Sequence, residues 1–115
     1  MKETKIRTII LFKNYFRSFY SKQTQRVKNK IAWTLRLIET IQDVPADYLK
    51  HLTGTDGLYE IRIKVGSDIY RVFCFFDEGR LVVLANGFQK KSQKTPPSEI
   101  ERALKIKKEY EDEKK

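Results

Sequence analysis

The spacing of apolar residues divides the first half of the chain into a strand and two helices. Residues 4–12 contain a short β-branched run bounded by charges, which predicts a first strand. Residues 14–20 then carry aromatic side chains at helical spacing, which predicts a short helix. Thr24 fits the N-cap of a second, longer helix, whose apolar stripe consists of Val27, Ile31, Leu35, Ile38 and Ile41.

The second half of the chain changes to a twofold pattern, which predicts an antiparallel meander of three strands. Residues 58–65 alternate between apolar and charged side chains, so one face of this strand is polar. Residues 69–76 are almost continuously aromatic or β-branched and belong in the centre of a sheet. Turn signals at 66–68 and 77–79 join these strands to each other and to a third strand over 81–88.

A final helix follows a basic loop at residues 90–94. Either Thr95 or Ser98 can cap this helix, and Ser98 with Glu101 fits a capping box. The order strand, two helices, three strands, helix predicts a single α+β domain over residues 1–115, with the helices against one face of a curved sheet. The apolar side of the last helix comprises Ile100, Ala103, Leu104 and Tyr110.

Composition narrows the class of protein. With 115 residues, 40% of them hydrophobic and 34% charged, the chain suits one packed domain and neither a disordered segment nor a two-domain enzyme. The net charge of +9 suits a polyanionic partner, and most of the excess lies in residues 1–50. The chain opens with no signal peptide and has no apolar run near the roughly 18 residues of a membrane span, so we expect a soluble cytoplasmic protein without membrane contact. One cysteine, Cys74, and no Cys/His cluster lead us to expect neither a disulfide nor a metal or other cofactor.

Arg71 carries the strongest chemical signal because it interrupts the apolar central strand. A charge at that position needs a partner or an opening to solvent. In an antiparallel meander Arg71 lies beside the polar face of the preceding strand, and the start of the basic loop reaches the same place. Several cations around one carboxylate form a site for a phosphate. The residues expected to gather there are Glu60, Arg62, Lys64, Lys90 and Lys91.

The pattern alone leaves a second interpretation open, in which Glu60 simply forms a cross-strand salt bridge with Arg71 or Arg62. His51, the single histidine, lies in a predicted loop ahead of the meander, where a lone histidine is more often just exposed. The basic residues of the long helix fit a solvated helix surface better than a nucleic-acid groove. These are Arg26, Lys28, Lys30 and Arg36.

Several segments together resemble the RelE/HigB toxin family, in its phage-derived HigB-like branch. They are residues 50–54, 57–62, 70–73 with the Tyr70-Arg71 pair, and 87–96. The resemblance implies a small α+β RNase fold and cleavage of messenger RNA bound in the A site of the 70S ribosome. It also implies a type II toxin–antitoxin system in which a cognate antitoxin, often a helix-turn-helix protein, neutralises the toxin.

The resemblance also implies roles for individual residues. The basic position of the first meander strand falls on Arg62, the strand arginine on Arg71, and the basic position after the last strand on Lys91 or Lys90. Glu60 stands where several relatives have lysine. Because it is the one proton acceptor expected in the patch, we include it among the predicted catalytic residues. These are Glu60, Arg62, Arg71 and Lys91. RNA contacts would come from Lys90, Lys94, Lys64 and His51.

One departure from the family pattern concerns the proton donor, and three other functions stay open. Residues 94–97 read Lys-Thr-Pro-Pro where relatives carry a tyrosine or histidine, so no donor is assigned. Relatives on the same fold poison DNA gyrase without catalysis, but they generally lack a basic sheet face. A catalytically inactive relative that only binds an antitoxin is another possibility. A plain RNA-binding module is disfavoured because no paired aromatics occupy alternate positions of a strand.

Overall fold

A computed structural model describes residues 4–115, which form five strands and three helices. The strands are β1 (Thr8–Leu11), β2 (Leu49–His51), β3 (Leu58–Val65), β4 (Asp68–Asp77) and β5 (Leu81–Lys90). The helices are α1 (Tyr15–Ser21), α2 (Gln25–Thr40) and α3 (Pro97–Glu113). None of these helices is long and apolar enough to cross a membrane.

All five strands belong to one mixed sheet in the order β1-β5-β4-β3-β2. The predicted meander β3-β4-β5 is confirmed, and β1 joins it by pairing in parallel with β5. The sequence pattern missed β2, which pairs antiparallel with the outer edge of β3. Three residues are too few to show a strand period, so β2 forms through pairing and not through its own pattern. His51 therefore lies in an edge strand and not in a loop.

The prediction that all helices cover one face of the sheet is wrong. Helices α1 and α2 pack on one face, where Val72 and Cys74 of β4 join their core. Helix α3 packs on the opposite face, against Phe73 and Phe75 of the same strand. Because β4 is apolar on both faces, each face needs its own cover of helices.

Helices α1 and α2 largely match the predicted pattern. The Thr24 side chain accepts a hydrogen bond from the Val27 amide at 3.3 Å, which confirms the predicted N-cap. Helix α1 approaches β5 closely at Gly87, where an added Cβ would lie 2.5 Å from the Phe19 ring. Ile41 is the exception in the stripe, since it ends the helix and is 39% exposed.

The first strand is shorter than predicted because the chain ahead of it follows the end of α2. The amides of Ile6 and Arg7 both donate to the Glu39 carbonyl, and pairing with β5 starts only at Thr8. The Arg7 guanidinium donates to the carbonyls of Ile38, Ile41 and Gln42 at 2.7–2.9 Å. A cation thus satisfies carbonyl groups that the end of a helix leaves without partners.

The last helix begins differently from the prediction. Its N-cap is Pro96, with Pro97 as the first helical residue, so Ser98 and Glu101 lie inside the helix and form no capping box. Proline suits this position because its missing N–H has no acceptor there anyway. The far end of α3 is fastened to β4 by Tyr110, whose hydroxyl donates to Asp77 at 2.6 Å.

We expect Arg7→Ala to lower the free energy of unfolding by about 1–2 kcal/mol, because three carbonyls at the end of α2 lose a charged donor. Urea denaturation followed by circular dichroism measures the change. Arg17→Ala is the matched control, since Arg17 is exposed on α1. Equal stabilities for the two variants would contradict the role given to Arg7.

Candidate phosphate-binding site

A buried ion pair lies on the face of the sheet that α3 partly covers. Nε of Arg71 on β4 donates to Oε2 of Glu60 on β3 at 3.1 Å, and Nη1 of Arg71 donates to the Tyr70 carbonyl at 3.1 Å. The side chains of Arg71 and Glu60 are only 6% and 11% exposed. The cross-strand salt bridge, one of the two interpretations that the pattern left open, is therefore present.

A second guanidinium group lies beside this pair. Arg62 is the direct register partner of Arg71, and its one hydrogen bond from the side chain reaches the Ala46 carbonyl at 3.5 Å, the edge of hydrogen-bonding distance. Burial lowers the pKa of Arg71 and the charge of Arg62 lowers it further, whereas Glu60 raises it. Among the described residues, Glu60 pairs with Arg71, whereas Arg62 forms no salt bridge, although Asp47 and Asp68 line the same cavities.

Arg71 is nearly buried, but it is not sealed. Its Nη2 makes no hydrogen bond within residues 4–115, and the residue lines an open cavity of about 650 Å³. We call this space the basic cavity. The turn between β3 and β4 forms one wall, and the end of β5 with its following loop forms the other. Its lining consists of Arg62, Ser67, Asp68, Ile69, Arg71, Gln89, Lys90, Lys91, Ser92 and Gln93.

A second cavity, of about 610 Å³, adjoins the first, and we call it the side cavity. Both cavities are lined by Arg62, Ile69 and Arg71, so together they form one groove past the two guanidinium groups. The side cavity leads toward α2 and the segment before β2. Its further lining consists of Lys30, Asp47, Tyr48, Ile63, Lys64 and Gly66.

The structure brings most of the predicted site residues to this groove. Arg62, Arg71, Lys90 and Lys91 line the basic cavity, and Lys64 lines the side cavity. The other three predicted residues line neither space: Glu60 lies beneath Arg71, His51 packs against Tyr59 on the edge strand, and Lys94 is exposed in the loop.

Sequence reasoning missed several residues that line the groove, among them the carboxylates Asp47 and Asp68. Asp68, which the pattern assigns to a turn, is the carboxylate that lines the basic cavity. Lys30 and Tyr48 line the side cavity, although the pattern treats Lys30 as part of a solvated helix surface. Asp68 could have been found from the register, because it directly precedes Ile69, the register partner of Lys90, on the strand that also holds Arg71. Lys30 and Tyr48 depend on packing between α2 and a loop, which no local pattern encodes.

We expect Glu60→Gln to lower the free energy of unfolding by about 3–5 kcal/mol, because Arg71 then keeps a buried charge without its partner. Thermal or urea denaturation measures the change. The double variant Glu60→Met/Arg71→Met removes both charges and should recover most of that loss, since an apolar pair of similar volume often replaces a buried ion pair without cost. A double variant less stable than Glu60→Gln would contradict this account.

Comparison with known proteins identifies the family of this chain. No curated protein matches the chain significantly. The sequence matches the family model described as phage-derived protein Gp49-like (DUF891) over residues 16–108, a range that runs from α1 into α3 and includes the whole groove. The chain therefore belongs to the family of Gp49-like phage-derived proteins.

Proposed function

We propose that this protein is the toxin of a type II toxin–antitoxin system and acts as a ribosome-dependent endoribonuclease on messenger RNA. The Gp49-like family includes RelE/HigB-like toxins, which supports the class of protein. The observation that carries the activity is the pair of guanidinium groups at Arg62 and Arg71, of which only Arg71 has a salt-bridge partner among residues 4–115, beside a cavity that Lys90 and Lys91 also line. Messenger RNA, the 70S ribosome and an antitoxin, of the helix-turn-helix type, are the partners of this proposal.

The basic cavity is suited to the phosphate at the cleavage point. Within the described part of the chain, Nη2 of Arg71 has no acceptor and the Arg62 side chain makes one long hydrogen bond, so both guanidinium groups have donors for phosphate oxygens. A bound phosphate would also supply the negative charge that the Arg62–Arg71 pair lacks. The groups are fixed on paired strands, so they need little rearrangement to stabilise charge that develops on the phosphorane.

The proposed reaction is a transesterification. The RNA 2′-oxygen loses its proton and attacks the adjacent phosphorus, the bond to the 5′-oxygen breaks, and that oxygen takes up a proton. The products are a 2′,3′-cyclic phosphate and a free 5′-hydroxyl group. Arg62, Arg71 and Lys91 stabilise the phosphorane, and Lys90 and Lys64 hold flanking phosphates. Lys94, exposed in the loop outside the groove, binds ribosomal RNA.

Glu60 and Asp68 have separate roles in this proposal. Glu60 is engaged with Arg71 and does not line the groove, so we assign it the role of a positioning residue that orients the guanidinium group. Asp68 is exposed and lines the basic cavity, so it is the acceptor we propose for the 2′-hydroxyl proton. Within residues 4–115 no group of three or more His, Cys, Asp or Glu is placed to hold a metal ion.

We expect Arg62→Ala and Lys91→Ala each to lower the rate of mRNA cleavage by roughly 10²- to 10³-fold, because each removes a preorganised donor to the phosphorane. Both side chains reach solvent, so the variants avoid the unpaired Glu60 that Arg71→Ala would leave. Cleavage is mapped on a messenger undergoing translation in a purified system, alongside growth after induction. Arg80→Ala, which removes an exposed cation from the turn between β4 and β5, is the matched control.

Two outcomes would contradict the proposal. One is wild-type cleavage by Arg62→Ala and Lys91→Ala together with normal folding. The other is growth arrest by the wild-type protein with intact messenger and damaged DNA, which would indicate the gyrase-directed class instead.

We expect Asp68→Asn to lower cleavage by roughly 10²- to 10⁴-fold, because an amide cannot accept the 2′-hydroxyl proton. Binding to ribosomes should persist, since the substitution removes a negative charge from a basic surface. Asp56→Asn, in the loop before β3, is the control with the same chemical change outside the groove. Full cleavage by Asp68→Asn would place the proton acceptor elsewhere, on Asp47 of the side cavity, on the ribosome or on RNA.

A further inference from the structure

The one tryptophan of the chain is exposed at the outer end of the groove. Trp33 on α2 is 48% exposed, although tryptophan is usually largely buried. Its ring centroid lies 5.5 Å from that of Tyr48, with the ring planes at 67°, and Nζ of Lys30 lies 4.4 Å from the Trp33 centroid. A helix and a loop thus bring together two aromatic rings and a cation. We call these three residues the aromatic corner.

The aromatic corner is continuous with the groove. Lys30 and Tyr48 line the side cavity, which Arg62 and Arg71 also line. Lys30 and Trp33 line a further hollow of about 460 Å³, which shares Lys64 and Gly66 with the side cavity. The rest of this hollow is lined by Arg26, Asn29 and Val65. Four cations, with the carboxylate Asp47 among them, therefore line the side cavity between the phosphate site and the corner: Arg62, Arg71, Lys64 and Lys30.

An exposed tryptophan can bind a protein segment or a nucleobase, and the charge around Trp33 indicates which of the two is favoured. Trp33 also borders an apolar hollow with Leu11 and Phe16, which a protein segment could cover. On the groove side its neighbours are Lys30, Lys64 and Arg26. Aromatic rings beside a row of cations are typical of sites for single-stranded nucleic acid. In such sites the bases stack on the rings and the phosphates pair with lysine and arginine.

We propose that Trp33 and Tyr48 form a nucleobase-binding subsite for single-stranded RNA whose backbone passes through the basic cavity. The subsite rests on the proposed function, because that function places RNA in the groove. Stacking needs only the π face of a base, so the subsite tolerates any sequence and sets how the strand lies. Lys30 moves off the indole ring as the base arrives and binds a neighbouring phosphate, since a cation–π contact at an exposed site is weak.

The chain offers a direct probe of this contact. Because Trp33 is the sole tryptophan, its fluorescence reports on the surroundings of this one side chain. The probe is a ten-nucleotide 2′-O-methyl RNA, which cannot undergo 2′-transesterification, at low ionic strength. A second oligomer has the same backbone but no bases. We expect the first to quench Trp33 saturably, and the second to bind without quenching and with roughly 5- to 100-fold lower affinity.

Variants separate stacking from apolar contact. Trp33→Leu should weaken binding of the base-bearing oligomer, measured by anisotropy, by the same roughly 5- to 100-fold and leave binding of the abasic oligomer unchanged. Trp33→Phe, which keeps an aromatic face, should retain part of the affinity. Leu104→Ala, which truncates an exposed apolar side chain on α3, should change neither affinity.

Three results would overturn the subsite. The first is that the base-bearing oligomer binds but leaves Trp33 emission unchanged, which would assign the tryptophan to another contact such as a protein segment. The second is that Trp33→Leu binds this oligomer with full affinity. The third is that neither oligomer binds at low ionic strength. The cleavage experiment is read separately. Quenching without cleavage on ribosomes would remove the nuclease and keep the subsite, whereas cleavage without quenching would remove the subsite alone.

Discussion

Two guanidinium groups meet on neighbouring strands of this sheet, and the buried carboxylate of Glu60 is paired with one of them, Arg71. Arg71 occupies a central strand because Glu60 compensates its charge inside the protein, and removing either partner alone would leave an isolated buried ion. Arg62 stands opposite Arg71 without such a partner in the described chain, although like charges at paired positions repel. Within residues 4–115 Arg62 thus carries its charge without a salt bridge in a groove that Asp47 and Asp68 also line, and an anion bound there would pair with it.

The backbone ladder places these charges. The tight turn after β3 puts Arg62 across from Arg71, and the pairing of β4 with β5 puts Lys90 across from Ile69 at the mouth of the basic cavity. A shift of one residue in either register would send these side chains to the opposite face, into the core under α1 and α2. The geometry of the candidate site is thus set by the same hydrogen bonds that build the fold. It does not depend on a flexible loop to bring the guanidinium groups together.

The elements that were predictable from sequence are those whose own residues carry a period. The meander follows from the alternation in β3 and the apolar run in β4, and Thr24 marks the start of α2. Arg71 inside that run indicated either a phosphate site or a cross-strand salt bridge, and the salt bridge with Glu60 is present.

The features that were not predictable depend on contacts between distant segments. Strand β2 exists because β3 has a free edge, and α3 takes the second face because Phe73 and Phe75 need cover there. The same holds for the site: periodicity put Glu60 on the polar face with Arg62, but the diagonal contact with Arg71 decides that its carboxylate points to the pair and not to the cavity.

The composition of the groove suits the proposed function, in which the protein cleaves messenger RNA only on the ribosome. It is rich in groups that hold phosphate and poor in groups that move protons, with Asp68 as the carboxylate in the basic cavity. Phosphate contacts bind any RNA, so cations alone cannot decide which bond lies next to Arg71. An RNA that the ribosome already holds single-stranded, with one base stacked at Trp33, would enter the groove in one orientation. Position would then come from the ribosome and the aromatic corner, and charge stabilisation from the sheet.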